Sequence, residues 1–274
     1  MTKPANVFRA LHEQSGAFVI PNPWDIGSAR ILAEMGFKAL ATTSAGMAHA
    51  RGMPDGSVSR EAALAHCSDI VKATPLPVSA DLEKGFGDAP EIVFETITAA
   101  AAIGLAGCSI EDHTGTPDAP IFEMTLAVER IEAASEACRR LPEDFVLTAR
   151  CENLLWGRTD LDDVIRRLQA YEAAGADVLY APSLHDLDAI REVCSAIGKP
   201  VNVVMETQRT TFSVDELAQA GVKRISVGSA LALLAYGSLI AAAREITQSG
   251  TFDFLENVMD FAEVDAFFRQ PADQ

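Results

Sequence analysis

Pro77-Val78-Ser79-Ala80-Asp81-Leu82-Glu83-Lys84-Gly85-Phe86-Gly87-Asp88 is a short apolar run that stops abruptly in two carboxylates and a glycine-spaced loop. A short apolar run bounded by turn signals reads as a buried strand. Asp81 and Glu83 at its exit are costly to desolvate unless a cation sits among them. A hard divalent ion answers that need, because oxygen donors suit Mg²⁺.

Outward from this stretch, strand-like runs alternate with helical periods and no linker divides them. Strands are expected at 17–20, 39–42, 78–81, 107–110, 145–149, 178–180, 201–204 and 224–227. Each is followed by a helical pattern, beginning after Asp25, near Ser59, and at about Pro90, Glu123, Leu161, Leu187, Val214 and Ser229. The segment Thr43-Ser44-Ala45-Gly46 after the second strand reads as a small-residue loop. Glu34-Met35-Gly36-Phe37, Glu172-Ala173-Ala174-Gly175-Ala176-Asp177 and Gln219-Ala220-Gly221-Val222 read as helix-to-strand turns of a parallel α/β chain. Eight β-then-α units make a (β/α)₈ TIM barrel the expected fold. A doubly wound sheet is the second choice, weakened because no G-x-G-x-x-G follows the first strand. The expected organisation is one barrel domain over 1–274. Its aromatic-rich segment 250–274, with Phe252, Phe254, Phe261, Phe267 and Phe268, is surplus to a closed barrel and forms a helical extension, suited to a partner subunit or to one barrel end.

Active sites of such barrels lie at the carboxyl ends of the strands. Strand two delivers Thr43, Ser44 and Ala45, with Asp55 further along its loop. Strand three delivers Asp81 and Glu83; strand four Glu111, Asp112 and His113; strand five Arg150, Glu152 and Asn153. Lys38, Lys199 and Lys223, which precede their strands, and Arg224, which opens its strand, read as solvated charges of the opposite face. Asp81 is the best direct metal ligand, with Glu83 and Glu111 acting partly through water, since Mg²⁺ takes one or two carboxylates and keeps waters. The planar fork of Arg150 matches a substrate carboxylate. The small residues 43–45 let backbone N–H groups approach a substrate oxygen. His113, two residues from Glu111, is an exposed loop histidine or a general acid or base beside the metal. Together these suit a 2-oxo acid and its enolate, with the metal taking up the developing negative charge.

A Schiff-base aldolase needs a lysine at a strand exit, and Lys38, Lys199 and Lys223 stand at strand entrances. Val227-Gly228-Ser229 is a weak phosphate-grip signal. The five histidines show no zinc spacing. The five cysteines fall in no C-x-x-C pair and read as reduced packing thiols. The formal net charge of −17 argues against a nucleic acid or an anionic membrane as partner. The apolar run around Ser229–Ala243 reads as broken by Tyr236-Gly237-Ser238, and no signal-type core follows the N-terminus, so the cytoplasm is the expected location.

The motifs resemble the isocitrate lyase/phosphoenolpyruvate mutase superfamily over nearly the whole chain. The matching stretches are Asn22-Pro23-Trp24-Asp25 with Ser28-Ala29-Arg30, Gly36-Phe37-Lys38-Ala39, Asp81-Leu82-Glu83 with Gly85-Phe86-Gly87-Asp88, Ser109-Ile110-Glu111-Asp112, and Thr148-Ala149-Arg150 with Gly157-Arg158. The resemblance implies a (β/α)₈ barrel whose last helix is swapped between subunits, in dimers that pair into tetramers. It implies Mg²⁺ (or Mn²⁺) on Asp81, Glu83 and Glu111, a substrate carboxylate on Arg150, and Asp55 approaching the substrate. Thr43-Ser44-Ala45 matches the family's Ser-Gly-x turn, altered at its first two residues. The family's lyases carry a Lys-Lys-Cys-Gly-His loop after strand four. Here that loop is His113-Thr114-Gly115-Thr116-Pro117-Asp118-Ala119-Pro120, without cysteine or lysine. The mutase's histidine after strand six is replaced by Ala181-Pro182-Ser183. The expected activity is therefore Mg²⁺-dependent C–C cleavage of a hydroxy- or oxo-dicarboxylate. P–C chemistry on phosphonopyruvate, or 2-oxo acid binding without catalysis, are the alternatives.

Overall fold

The computed structural model describes residues 3–206 and 211–269. Its elements in order are α1 (Pro4–Glu13), β1 (Phe18–Ile20), α2 (Ile26–Glu34), β2 (Leu40–Ala41), α3 (Ser44–Ala50), α4 (Arg60–Ala73), β3 (Val78–Asp81), α5 (Pro90–Ala102) and β4 (Gly107–Glu111). There follow α6 (Met124–Arg140), β5 (Val146–Arg150), α7 (Leu161–Ala173), β6 (Val178–Tyr180), α8 (Leu187–Ala196), β7 (Val201–Val204), α9 (Val214–Gln219), β8 (Arg224–Ser226) and α10 (Ala230–Ser249). A 3₁₀ turn (Asp253–Asn257) and α11 (Phe261–Ala266) end the described chain.

The strands form one parallel sheet in the order β1-β8-β7-β6-β5-β4-β3-β2. The Ala41 N–H donates to the Pro21 carbonyl (3.0 Å) and draws β2 towards β1, so the sheet is a nearly closed (β/α)₈ barrel, as expected. Local chemistry sets the helix starts. Asp25 caps α2 in a reciprocal box with Ser28, Ser59 caps α4, and Asp160 caps α7. The main core lies between barrel and helices, around Leu40, Ile97, Ile110, Leu147, Leu168 and Leu179.

Several features depart from the sequence expectations. Helix α1 was not anticipated; it closes the barrel's amino-terminal end, where Phe8, Leu11 and His12 pack under Ile20, Val146 and Val178. Gly107 makes this closure possible, since a Cβ there would lie 2.4 Å from the Val146 carbonyl and 3.0 Å from the Phe8 ring. The expected loop at 43–46 is the start of α3, because the Thr43 side chain accepts from the Gly46 N–H and caps it. Lys38 and Lys199 lie on the surface, but Arg224 is buried inside the barrel, because it shares the inward parity of Ser226. Tyr236-Gly237-Ser238 does not interrupt α10: the 20-residue helix is unbroken. By length and composition it could cross a membrane, and only 6% of its apolar window is buried.

Candidate active site

Asp81 ends β3 with both carboxylate oxygens engaged. The Ser44 hydroxyl and N–H donate to Oδ2 at 2.8 and 3.2 Å, and the Glu83 N–H donates to Oδ1 at 3.3 Å. Ser44 therefore spends its N–H on Asp81, and its first role in this arrangement is to orient that carboxylate. Thr43 caps α3 and lines the cavity, and Ala45 sits in the helix's first turn.

Two strands further round, at the end of β5, Arg150 gathers the acids. Its Nε binds Glu152 and lies 3.6 Å from Glu111, its Nη1 lies 4.0 Å from Asp81, and its guanidinium stacks 5.1 Å from the Tyr180 ring centre. Asp112, also at a strand exit, turns away from the cavity. It is buried, accepts from the Tyr171 hydroxyl (2.6 Å), Arg167 (3.3 Å) and the Glu152 N–H (2.8 Å), and so ties the ends of β4 and β5 together.

The carboxylates stand in mutual repulsion. Burial first, and then the Asp81 charge, pushes Glu83 up to about 7. Burial raises Glu111 well above the ordinary range, although Arg150 opposes it. Asp55 remains open to solvent, yet its carboxyl faces Ser44 and Asp81, and partial burial followed by the Asp81 charge raises it too. A cation would relieve each of these shifts. Among the described residues no three His, Cys, Asp or Glu side chains converge into a preformed cage. Glu83 faces a neighbouring cleft beside Gly56 and Phe86. The donors are hard oxygens with surplus negative charge and Asp81 in the lead, which suits an ion that binds one or two carboxylates and retains water.

Glu83 and Phe86 have left-handed backbones (φ 52° and 63°), strain concentrated beside the site. Four hydrogen bonds from two residues hold this loop. The Glu111 N–H donates to the Glu83 carbonyl (3.0 Å). Buried Arg130 donates to the carbonyls of Gly87 (2.7 Å), Asp88 (2.6 Å) and Lys84. Sequence reading missed Arg130, since a mid-helix arginine carries no local sign of an inward task. The loop after β4 is a closed turn: His113 bridges Ile121, the Thr114 N–H donates to Pro120 (2.8 Å), and Lys84 reaches the Thr114 carbonyl (2.6 Å). His113 lies 3.8 Å from Glu111 and stacks on Trp156, with ring centres 4.3 Å apart. Burial lowers its pKa, and its Nε2 is buried without a partner.

Beneath Asp81 and Arg150 a small cavity runs down the barrel past Ser79, Ser109, Tyr180, Asn202 and Arg224. Most of the residues that line it are polar, and Asp81 and the Arg150 fork bound its upper end.

Comparison with known proteins shows which family the chain resembles. The family model described as phosphoenolpyruvate phosphomutase matches residues 8–247. The chain is 34% identical over 202 residues to the 2-methylisocitrate lyase of Shewanella oneidensis, covering 70% of this chain and 68% of the other. A crystal structure from Burkholderia cenocepacia J2315, provisionally assigned as a lyase/mutase, matches with a TM-score of 0.96 at 56% identity, over 98% and 97% of the two chains. The structure of 2,3-dimethylmalate lyase, a member of the PEP mutase/isocitrate lyase superfamily, matches with a TM-score of 0.86 at 27% identity, over 98% and 95%.

Proposed function

The chain belongs to the phosphoenolpyruvate phosphomutase/isocitrate lyase superfamily and is an enzyme of its lyase/mutase type; from this we propose that it is a Mg²⁺-dependent lyase cleaving a C–C bond in a hydroxy- or oxo-dicarboxylate, through an enolpyruvate-like intermediate. The observation that carries the reading is the approach of Asp81 and Glu111 to the fork of Arg150 at a cavity lined mostly by polar residues, with Glu83 joined to Asp81 through its N–H.

Asp81, oriented by Ser44, would hold the ion directly, with Glu83 and Glu111 reaching it through water. When bound, Mg²⁺ supplies Lewis-acid stabilisation of negative charge on the substrate's 2-oxygen. Arg150, fixed by Glu152 and the Tyr180 ring, orients the substrate carboxylate beside it. Breaking the C–C bond leaves its electron pair on one fragment, which then needs a proton. Asp55, whose carboxyl faces Ser44 and Asp81 and whose pKa is raised by burial and then by the Asp81 charge, is placed to move that proton. His113, shielded by Trp156, is the second candidate, in a loop that carries no cysteine. Two lyases among the proteins it resembles, named for 2-methylisocitrate and 2,3-dimethylmalate, support C–C over P–C cleavage.

The test is proton exchange. Pyruvate incubated with protein and Mg²⁺ in D₂O is expected to lose methyl protons by NMR, and Asp81→Ala is expected to abolish the exchange. Turnover is then sought on hydroxy diacids, oxaloacetate and phosphonopyruvate. Absence of both Mg²⁺-dependent exchange and turnover would reduce the protein to a 2-oxo acid binder.

A further inference from the structure

Arg224 enters the barrel from its amino-terminal end and is only 5% exposed. Its donors meet neutral acceptors: Nε the Asn202 Oδ1 at 2.8 Å, Nη2 the Thr148 hydroxyl at 2.9 Å, and Nη1 the His12 Nε2 at 3.5 Å. His12 brings no negative charge, and cannot bring a positive one. Its Nδ1 sits 2.8 Å from the Phe8 carbonyl and must carry the proton there, leaving Nε2 as a lone pair towards Arg224. Among the described residues Arg224 forms no ion pair, whereas Arg150 and Arg167 meet carboxylates, and Arg130, the other buried arginine without one, spends its guanidinium on three backbone carbonyls of the 84–88 loop. A buried guanidinium without an anion is an unfavourable arrangement in a dry interior. The floor of the cavity that begins at Arg150 is lined by this same residue, with Asn202 and Ser226 beside it.

We propose that this floor is an anion subsite, in which Arg224, flanked by the Ser226 hydroxyl, takes one small monovalent anion: a carboxylate or a halide. The Asn202 amide is already committed, accepting from Arg224 and donating to Ser226 (3.1 Å), which fixes the guanidinium's direction rather than neutralising it. The rung Arg150↔Tyr180↔Asn202↔Arg224 carries the register from the mouth to the floor. Two cationic ends in one cavity match a dicarboxylate whose head lies at Asp81 and Arg150 and whose far carboxylate reaches Arg224. That occupant rests on the function proposed above; a halide does not.

Crystals of the Mg²⁺-loaded protein soaked in sodium bromide test the site, with calorimetric titration of oxalate and of malate beside it. Expected is an anomalous bromide peak on the Arg224 guanidinium, lost in Arg224→Gln and kept in Arg224→Lys. If the occupant is the far carboxylate, Arg224→Gln weakens malate about ten- to a hundredfold, bromide competes with malate, and oxalate binding is unchanged. A bromide peak with unchanged malate affinity assigns the site to an inorganic anion. No bromide peak in the unaltered protein, with malate indifferent to Arg224→Gln, overturns the proposal. Failure of the unaltered protein to bind oxalate counts against the proposed function, and the bromide map then decides the subsite alone.

Discussion

Arg150 serves two kinds of negative charge at once, because Glu152 and Glu111 hold one edge of its fork while the cavity receives the other. A lysine would keep the charge and lose the planar edge. Arg150→Lys is therefore expected to raise KM for a 2-oxo acid about ten- to a hundredfold with little change in melting temperature; an unchanged KM would remove Arg150 from carboxylate binding. Arg130 works on backbone instead of substrate. Arg130→Met strands three carbonyls of the 84–88 loop and is expected to cost about 3 kcal/mol in urea unfolding while weakening Mg²⁺ binding. Unaltered stability and metal affinity would detach it from the loop. Residues of the first kind were legible in the sequence, because a charged side chain directly after a strand exit announces its position. Arg130 and Arg224 were not. Arg130 is set by a distant loop, and Arg224 stands at a strand entrance, where only counting in twos from Ser226 would turn it inward.

At the scale of elements, all eight strands could be read from their apolar runs, and the caps Asp25 and Ser59 marked where helices begin. Helix α1 escaped because it precedes the first β-then-α unit, although Pro4 in its first turn and Phe8 and His12 one turn apart fit a helix. Helix α10 poses the reverse case: its pattern was read as a helix, but not the absence of a home for its apolar surface. Leu234, Leu239 and Ile240 are 68%, 63% and 48% exposed, and Phe252, Leu255, Val258 and Phe261 continue the exposed surface beyond it. Among the described residues the tail end returns to its own barrel, where Arg30 donates to the Phe268 carbonyl at 2.8 Å. The swap between subunits implied by the family resemblance would cover this helix with a second copy. We propose that arrangement; Leu234→Asp with Leu239→Asp is then expected to shift the protein towards monomer in light scattering. A native mass already monomeric, or flotation of the protein with lipid vesicles, would refute it.

For the molecule as a whole, the site and the floor set opposite limits with pH. Glu83 ionises near 7 in the fold and near 4.5 ordinarily. Between those values the unfolded chain releases its proton first, so this contribution to stability is lost as pH rises and stays lost above about 7. His12 behaves oppositely: burial lowers it from 6.5 to about 3, so stability is lost as pH falls through that interval. The metal-free protein is therefore expected to melt highest in mildly acidic buffer. Mg²⁺ should add stability increasingly as pH rises past 7, and His12→Gln should extend tolerance to acid. Thermal melts from pH 4 to 9, with chelator and with Mg²⁺, would check all three, and a Mg²⁺ effect indifferent to pH would contradict the role given to Glu83. The Trp156 ring stacked on His113 has a further use. The chain has two tryptophans, and this one lies in van der Waals contact with the loop that follows β4. Any opening of that loop peels an imidazole from an indole, so the protein carries its own fluorophore and quencher, and the loop's motion can be timed by stopped-flow emission without a label.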